Sequence, residues 1–128
     1  MNMMAWSQPQ PADGHVAGEV HCVLDLVHLS RQTLGDRTLE VELLELFERQ
    51  AAGVVARLTG PGAATGSTGA DIAHMLKGSA RAVGAFAVAR AAADLEEAMR
   101  YGHPARQRLE ALARSVAEAR KTVTALLA

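Results

Sequence analysis

The sequence predicts an all-α fold: an antiparallel up-down four-helix bundle with a shorter N-terminal covering helix. Three observations carry this. Apolar residues recur at spacings of three and four, and no segment alternates every second residue as a strand would. The breaks between periodic runs are short and rich in Gly or Pro, which sets consecutive helices side by side. The chain has 128 residues, 49% of them hydrophobic and 3% aromatic, so Leu, Val and Ala must fill the core of what is one domain by length.

Residues 1–18 (MNMMAWSQPQPADGHVAG) carry two of the four prolines and show no period, and read as a flexible tail ahead of a domain over 19–128. From Glu19, Val20, Val23, Leu24, Leu26 and Val27 mark an amphipathic helix that runs out near Thr33. Gly35-Asp36 ends it and caps the next. The second helix spans about 36–58, with Leu43, Phe47, Gln50, Val54 and Leu58 as its stripe and Leu46 and Ala51 beside it. Leu39 and Val41 fit that stripe poorly.

The run GPGAATGSTG (60–69) reads as a loop. A phosphate-binding loop would need two glycines five apart followed by lysine, and neither feature is there. A third helix starts near Ala70, capped by Thr68 or Asp71, and breaks at Gly84. A fourth covers about 85–101, with Val88, Ala92, Leu95 and Met99 as its stripe, and ends at Gly102. Pro104 opens the fifth in its first turn, where a missing N–H costs nothing. Leu109, Leu112, Val116, Ala119, Val123 and Leu126 then repeat at three-four spacing to Leu127.

Charge and composition exclude several classes. Thirteen basic against fourteen acidic residues leave a formal charge of -1, which gives no electrostatic footprint for nucleic acid or an anionic membrane. No apolar run approaches the roughly 18 residues of a membrane span, and the amino terminus lacks a signal pattern. The single cysteine, Cys22, cannot form an internal disulfide, which fits a reducing compartment, and reads as a small buried hydrophobe. The expected location is cytoplasmic.

The chemistry concentrates on the third helix. Stepping about 100° per residue from Ile72, Leu76, Ser79 and Val83 lie within about 40° of it, with Met75 flanking. His74, Lys77, Gly78 and Arg81 fall at roughly 140–240°, on the opposite face, so His74 points at solvent with cations near it. Gly78 stands mid-helix, where it costs about 1 kcal/mol relative to alanine, and one turn from His74 it opens an approach to the ring. On the fourth helix, Glu96 and Arg100 lie just past the core stripe, beside Ala89 and Ala93. Antiparallel packing would bring this edge to His74, where a carboxylate fixes one ring nitrogen and leaves the other nitrogen's lone pair outward. Taken alone, Glu96 and Arg100 would be an ordinary surface pair.

Other candidates carry less. His21 and His28 are seven apart with no Glu-x-x-His partner, so no metal site is expected. His15 and His103 read as solvated tail and turn residues, and Ser79 lies on the core face with no base beside it.

The run HMLKGSARAVGA from His74 to Ala85 resembles the His-x-Leu-Lys-Gly-Ser-Ala-x-x-hydrophobic-Gly-Ala motif of histidine phosphotransfer (HPt) domains, the phosphocarriers of two-component relays. The stretch LEVELLELFERQ (39–50) is similar to that family's second helix, and the resemblance spans about Glu19 to the carboxyl end. It implies a four-helix bundle with His74 as the phosphorylated residue, Lys77 helping to neutralise the phosphoryl group and Gly78 giving access. Several family members carry glutamine at the position of Glu96; kinase-linked chemotaxis members carry glutamate.

The implied role is a stand-alone phosphocarrier rather than an autonomous enzyme. It would take a phosphoryl group from a receiver-domain aspartate, or a sensor or hybrid histidine kinase, and pass it to another response-regulator receiver. It needs no cofactor of its own, and Mg²⁺ is expected in the partner receiver domain. Leu39, Val41 and Met75 are candidates for an apolar docking patch, and Arg81 and Arg100 are further partner-binding candidates. The competing reading is a helical adaptor that binds a receiver or kinase without carrying phosphate.

Overall fold

The computed structural model describes residues 23–128, and every element among them is helical. In chain order these are α1 (Leu26–Thr33), α2 (Arg37–Leu58), α3 (Gly66–Val83), α4 (Phe86–Tyr101) and α5 (Arg106–Leu127). The expected tail over 1–18, the start of the first helix at 19–22, His15, Val20, His21 and Cys22 lie outside the described residues.

Helices α2 to α5 close into a ring in which each packs on its chain neighbour and α5 returns to α2, while α1 lies across α2 and α3. This is the up-down bundle with a covering helix that short connections dictate. Its core takes one stripe from each long helix. Leu44, Phe47, Ala51, Val54 and Leu58 come from α2 and Leu112, Val116, Ala119 and Val123 from α5. From α3 come Ile72, Ala73, Leu76, Ala80 and Val83, and from α4 Val88, Ala89, Ala92, Leu95 and Ala98. The alanines cluster on the two facing helices, α3 and α4, which form the most extensive pair in the bundle.

The structure corrects several boundaries. The first helix is not continuous from Glu19 to Thr33, because Asp25 interrupts it as an N-cap whose carboxylate accepts from the His28 N–H at 3.0 Å. Restarting there changes the phase, so Leu29 and Thr33 are buried while Leu26 and Val27 are exposed. Leu34 and Gly35 both take left-handed φ, 55° and 79°, to end the helix, the Leu34 side chain standing almost wholly in solvent, and Asp36 caps the next helix as expected. In α2 the core position is Leu44 rather than Leu43, Gln50 is half-buried and Leu46 is exposed.

Helix α3 begins at Gly66, with Thr65 as its N-cap, several residues before the expected start, and neither Thr68 nor Asp71 caps it. Burial of Gly69 and Ala70 against the bundle outweighs the weak helix propensity of the glycines. Pro104 stands outside α5, whose N-cap is Ala105, and its carbonyl accepts from Arg108 at 2.8 Å.

Gly84 joins α1 to the α3–α4 turn. It adopts φ +85°, its carbonyl accepts from the Asp25 N–H at 2.9 Å, and a Cβ built on it would stand 2.6 Å from the Asp25 carbonyl oxygen. Both the dihedral and the contact exclude a side chain. Gly84→Ala should therefore cost about 2 kcal/mol or more, seen as a lower urea midpoint at unchanged denaturant slope.

Candidate functional site

The close contact of α3 and α4 sets the geometry of the site. Small residues along their seam let the two backbones approach, and at Gly69 even a methyl group would stand 2.6 Å from Met99 Sδ and 2.9 Å from the Ala64 carbonyl. A glutamate side chain on α4 is then long enough to reach polar groups on the outer face of α3.

Glu96 does so. Its Oε2 lies 3.0 Å from His74 Nδ1, and its Oε1 accepts from Lys77 Nζ at 3.1 Å. Arg100, one turn along α4, donates from Nη2 to Glu96 Oε2 at 3.2 Å and to Asp71 Oδ1 at 3.1 Å. The His74 side chain is 62% exposed, whereas those of Glu96 and Lys77 are 15% and 19% exposed. A largely covered carboxylate thus serves an open imidazole.

Burial alone would raise the Glu96 pKa. Hydrogen bonds from Lys77, Arg100 and His74 outweigh it and hold the carboxyl below its ordinary value. The carboxyl group is therefore ionised at neutral pH and offers only lone pairs, so the bond to His74 requires the proton on Nδ1. The Nε2 lone pair is then the imidazole's free nucleophile. Arg100 is shifted upward by Asp71 and then Glu96, so it stays a cation throughout.

Set against the sequence reading, the hydrogen-bond network joins His74, Lys77, Glu96 and Arg100. Arg81, Met75, Leu39 and Val41 stand outside it. Arg81 and Met75 are exposed on α3, Leu39 is exposed in the first turn of α2, and Val41 is half-buried. Gly78 is exposed, and a Cβ placed on it would meet nothing within 4 Å, so no close helix crossing explains the glycine. Lys77 is not the open surface cation its helical position suggests, because its ammonium is half-buried and bound to Glu96. Asp71 is the member that sequence reasoning missed. In the sequence it reads as a helix cap, although its position three residues before His74 puts it on the histidine's side of α3. His28, considered with His21 as a metal pair, instead packs its ring edge-on to Phe86 with centroids 5.1 Å apart.

Residues 42–128, more than half of the chain, match the family model described as Hpt domain. The chain belongs to the Hpt domain family. No curated protein and no solved structure gives a match. Hpt domains serve histidine phosphotransfer in two-component relays and act there as phosphocarriers alongside receiver domains and kinases. The Hpt match covers the His74 motif and Glu96 but begins after α1 and the first residues of α2, leaving Leu39 and Val41 outside it.

The lowered Glu96 pKa has a stability consequence with a definite sign. The contribution is complete above the unfolded carboxylate value of about 4.3 and is lost as pH falls through the lower folded value. Glu96→Gln should be less stable than wild type at neutral pH, and the gap should narrow as pH falls from about 5 to about 3. Urea unfolding at a series of pH values reads this directly; a gap that stays constant would show that ionised Glu96 contributes nothing.

Proposed function

We propose that this Hpt domain carries a phosphoryl group on His74 Nε2, received from a receiver-domain aspartate or a kinase and handed to the aspartate of another receiver. The observation that carries this reading is the exposed imidazole whose Nδ1 is held by Glu96, which leaves Nε2 as the outward lone pair.

The step balances without moving a proton. Nε2 donates its lone pair to phosphorus, an N–P bond forms, and the P–O bond to the donor aspartate breaks, releasing its carboxylate. Nδ1 keeps its hydrogen, and the positive charge that develops on the ring faces the ionised Glu96. Return transfer to a second aspartate is the reverse. Because such transfer passes through a loose transition state, alignment and charge neutralisation supply most of the rate. Lys77, on the same face, brings a positive charge to the incoming phosphoryl oxygens as it exchanges out of its bond with Glu96. The Mg²⁺ expected for this chemistry would be held by the receiver domain.

Gly78 supports the same reading. It weakens α3 and a Cβ on it would meet nothing within 4 Å, so the space above it is open to an arriving domain. Leu39, Val41, Met75 and Arg81 remain proposed docking residues on this basis. A cytoplasmic location is proposed with the relay role, and no described helix is long and apolar enough to cross a membrane.

Incubation with a phosphorylated receiver domain should label the chain with acid-labile phosphate, and His74→Gln should abolish the label. A mutant that still takes up label would place the site elsewhere. An adaptor without phosphate would show no label in either form while binding the receiver equally. Gly78→Ala should raise stability by about 1 kcal/mol in urea unfolding and slow transfer from the receiver in the same preparation; a variant gaining stability at undiminished rate would remove the access role.

A further inference from the structure

Arg100 is read from sequence as a partner contact, yet in the structure its guanidinium bridges two carboxylates of its own domain. Nη2 donates to Asp71 Oδ1 on α3 and to Glu96 Oε2 on α4, at 3.1 and 3.2 Å. Oε2 is also the oxygen that meets His74 Nδ1. The polar chain thus leaves α3 at Asp71, crosses to Arg100, passes along α4 to Glu96, and returns to α3 at His74.

A glutamate's terminal torsion is broad, and one hydrogen bond leaves the carboxylate free to rotate. Here each oxygen has its own cation, Lys77 on Oε1 and Arg100 on Oε2, so the plane of the group is fixed from both sides. An isolated Glu–Arg pair one turn apart on a helix surface orders little. This one is held at both ends, because Asp71 fixes the guanidinium from the opposite helix. The charged groups that reach the imidazole or its carboxylate are therefore Lys77 from α3 and Glu96 and Arg100 from α4, with Asp71 of α3 behind Arg100.

We infer that Arg100, anchored by Asp71, is a positioning residue for phosphotransfer: it orients the Glu96 carboxylate so that His74 keeps its proton on Nδ1 and presents Nε2. The inference rests on His74 being the phosphoryl acceptor.

The test uses the full chain and a donor with no protein surface. Phosphoramidate transfers its phosphoryl group to Nε2 as its own P–N bond breaks and ammonia leaves, so a residue that only docks a partner has no effect on that reaction. Arg100→Ala should slow phosphohistidine formation from phosphoramidate about three- to tenfold. Arg100→Lys should recover part of the rate. Asp71→Ala should show a smaller loss, and adding it to Arg100→Ala should cause no further one, since the two act in series.

A second readout needs no phosphate. The ¹⁵N shifts of the neutral His74 ring should report the Nδ1–H tautomer in the wild type and a tautomer mixture in Arg100→Ala, a change that mere loss of surface packing would not cause. Arg100→Ala with wild-type tautomer and wild-type phosphoramidate rate, slowed only with a receiver domain as donor, would overturn the inference and make Arg100 a docking contact. Failure of the wild-type chain to label from either donor would sink the phosphocarrier reading itself. That result is distinct from equal labelling of wild type and Arg100→Ala, which sinks only the positioning role.

Discussion

The approach of α3 to α4 is the constraint on which the site depends. Buried alanines on both helices remove the bulk that would hold them apart, and the chain spends little aromatic volume anywhere along that seam. At a wider spacing Glu96 would fall short of His74 and Lys77, and the imidazole would be an ordinary surface histidine free to choose either tautomer. Packing inside the bundle thus sets the state of a ring that stands outside it. Beyond the stability the ionised Glu96 adds, the effect of these pairs is geometric.

Much of this was legible in the sequence, for identifiable reasons. Four long amphipathic runs with short breaks leave few alternatives to an up-down bundle, and a 100° step per residue separates His74, Lys77 and Gly78 from the core face without any knowledge of neighbours. Placing Glu96 needed only the further assumption that helices joined by a short turn pack antiparallel. The resemblance of the HMLKGSARAVGA run agrees with the family match over 42–128.

The errors came where tertiary context overrides local preference. Helix α3 starts inside a glycine-rich stretch because Gly69 and Ala70 find a buried partner in the bundle, a gain that propensity does not register. Asp25 interrupts a periodic run because its carboxylate caps a new helix, and the resulting phase change moves Val27 out of the core. Asp71 and the half-buried setting of Lys77 were hidden for a related reason. Spacing gives the face a side chain occupies, whereas the length and branching of the opposite residues decide which charges meet across it.

The four charged side chains around the imidazole have one more property in common. Two carboxylates, Asp71 and Glu96, are matched by two cations, Lys77 and Arg100, so with a neutral ring the patch is electrically quiet. A phosphoryl dianion on Nε2, only partly offset by the charge that develops on the ring, would leave a local excess of negative potential, felt over roughly a Debye length of 8 Å in physiological salt. Loaded and unloaded forms would then differ in their long-range attraction for a charged surface before any contact is made. A balanced resting state gives that difference its contrast.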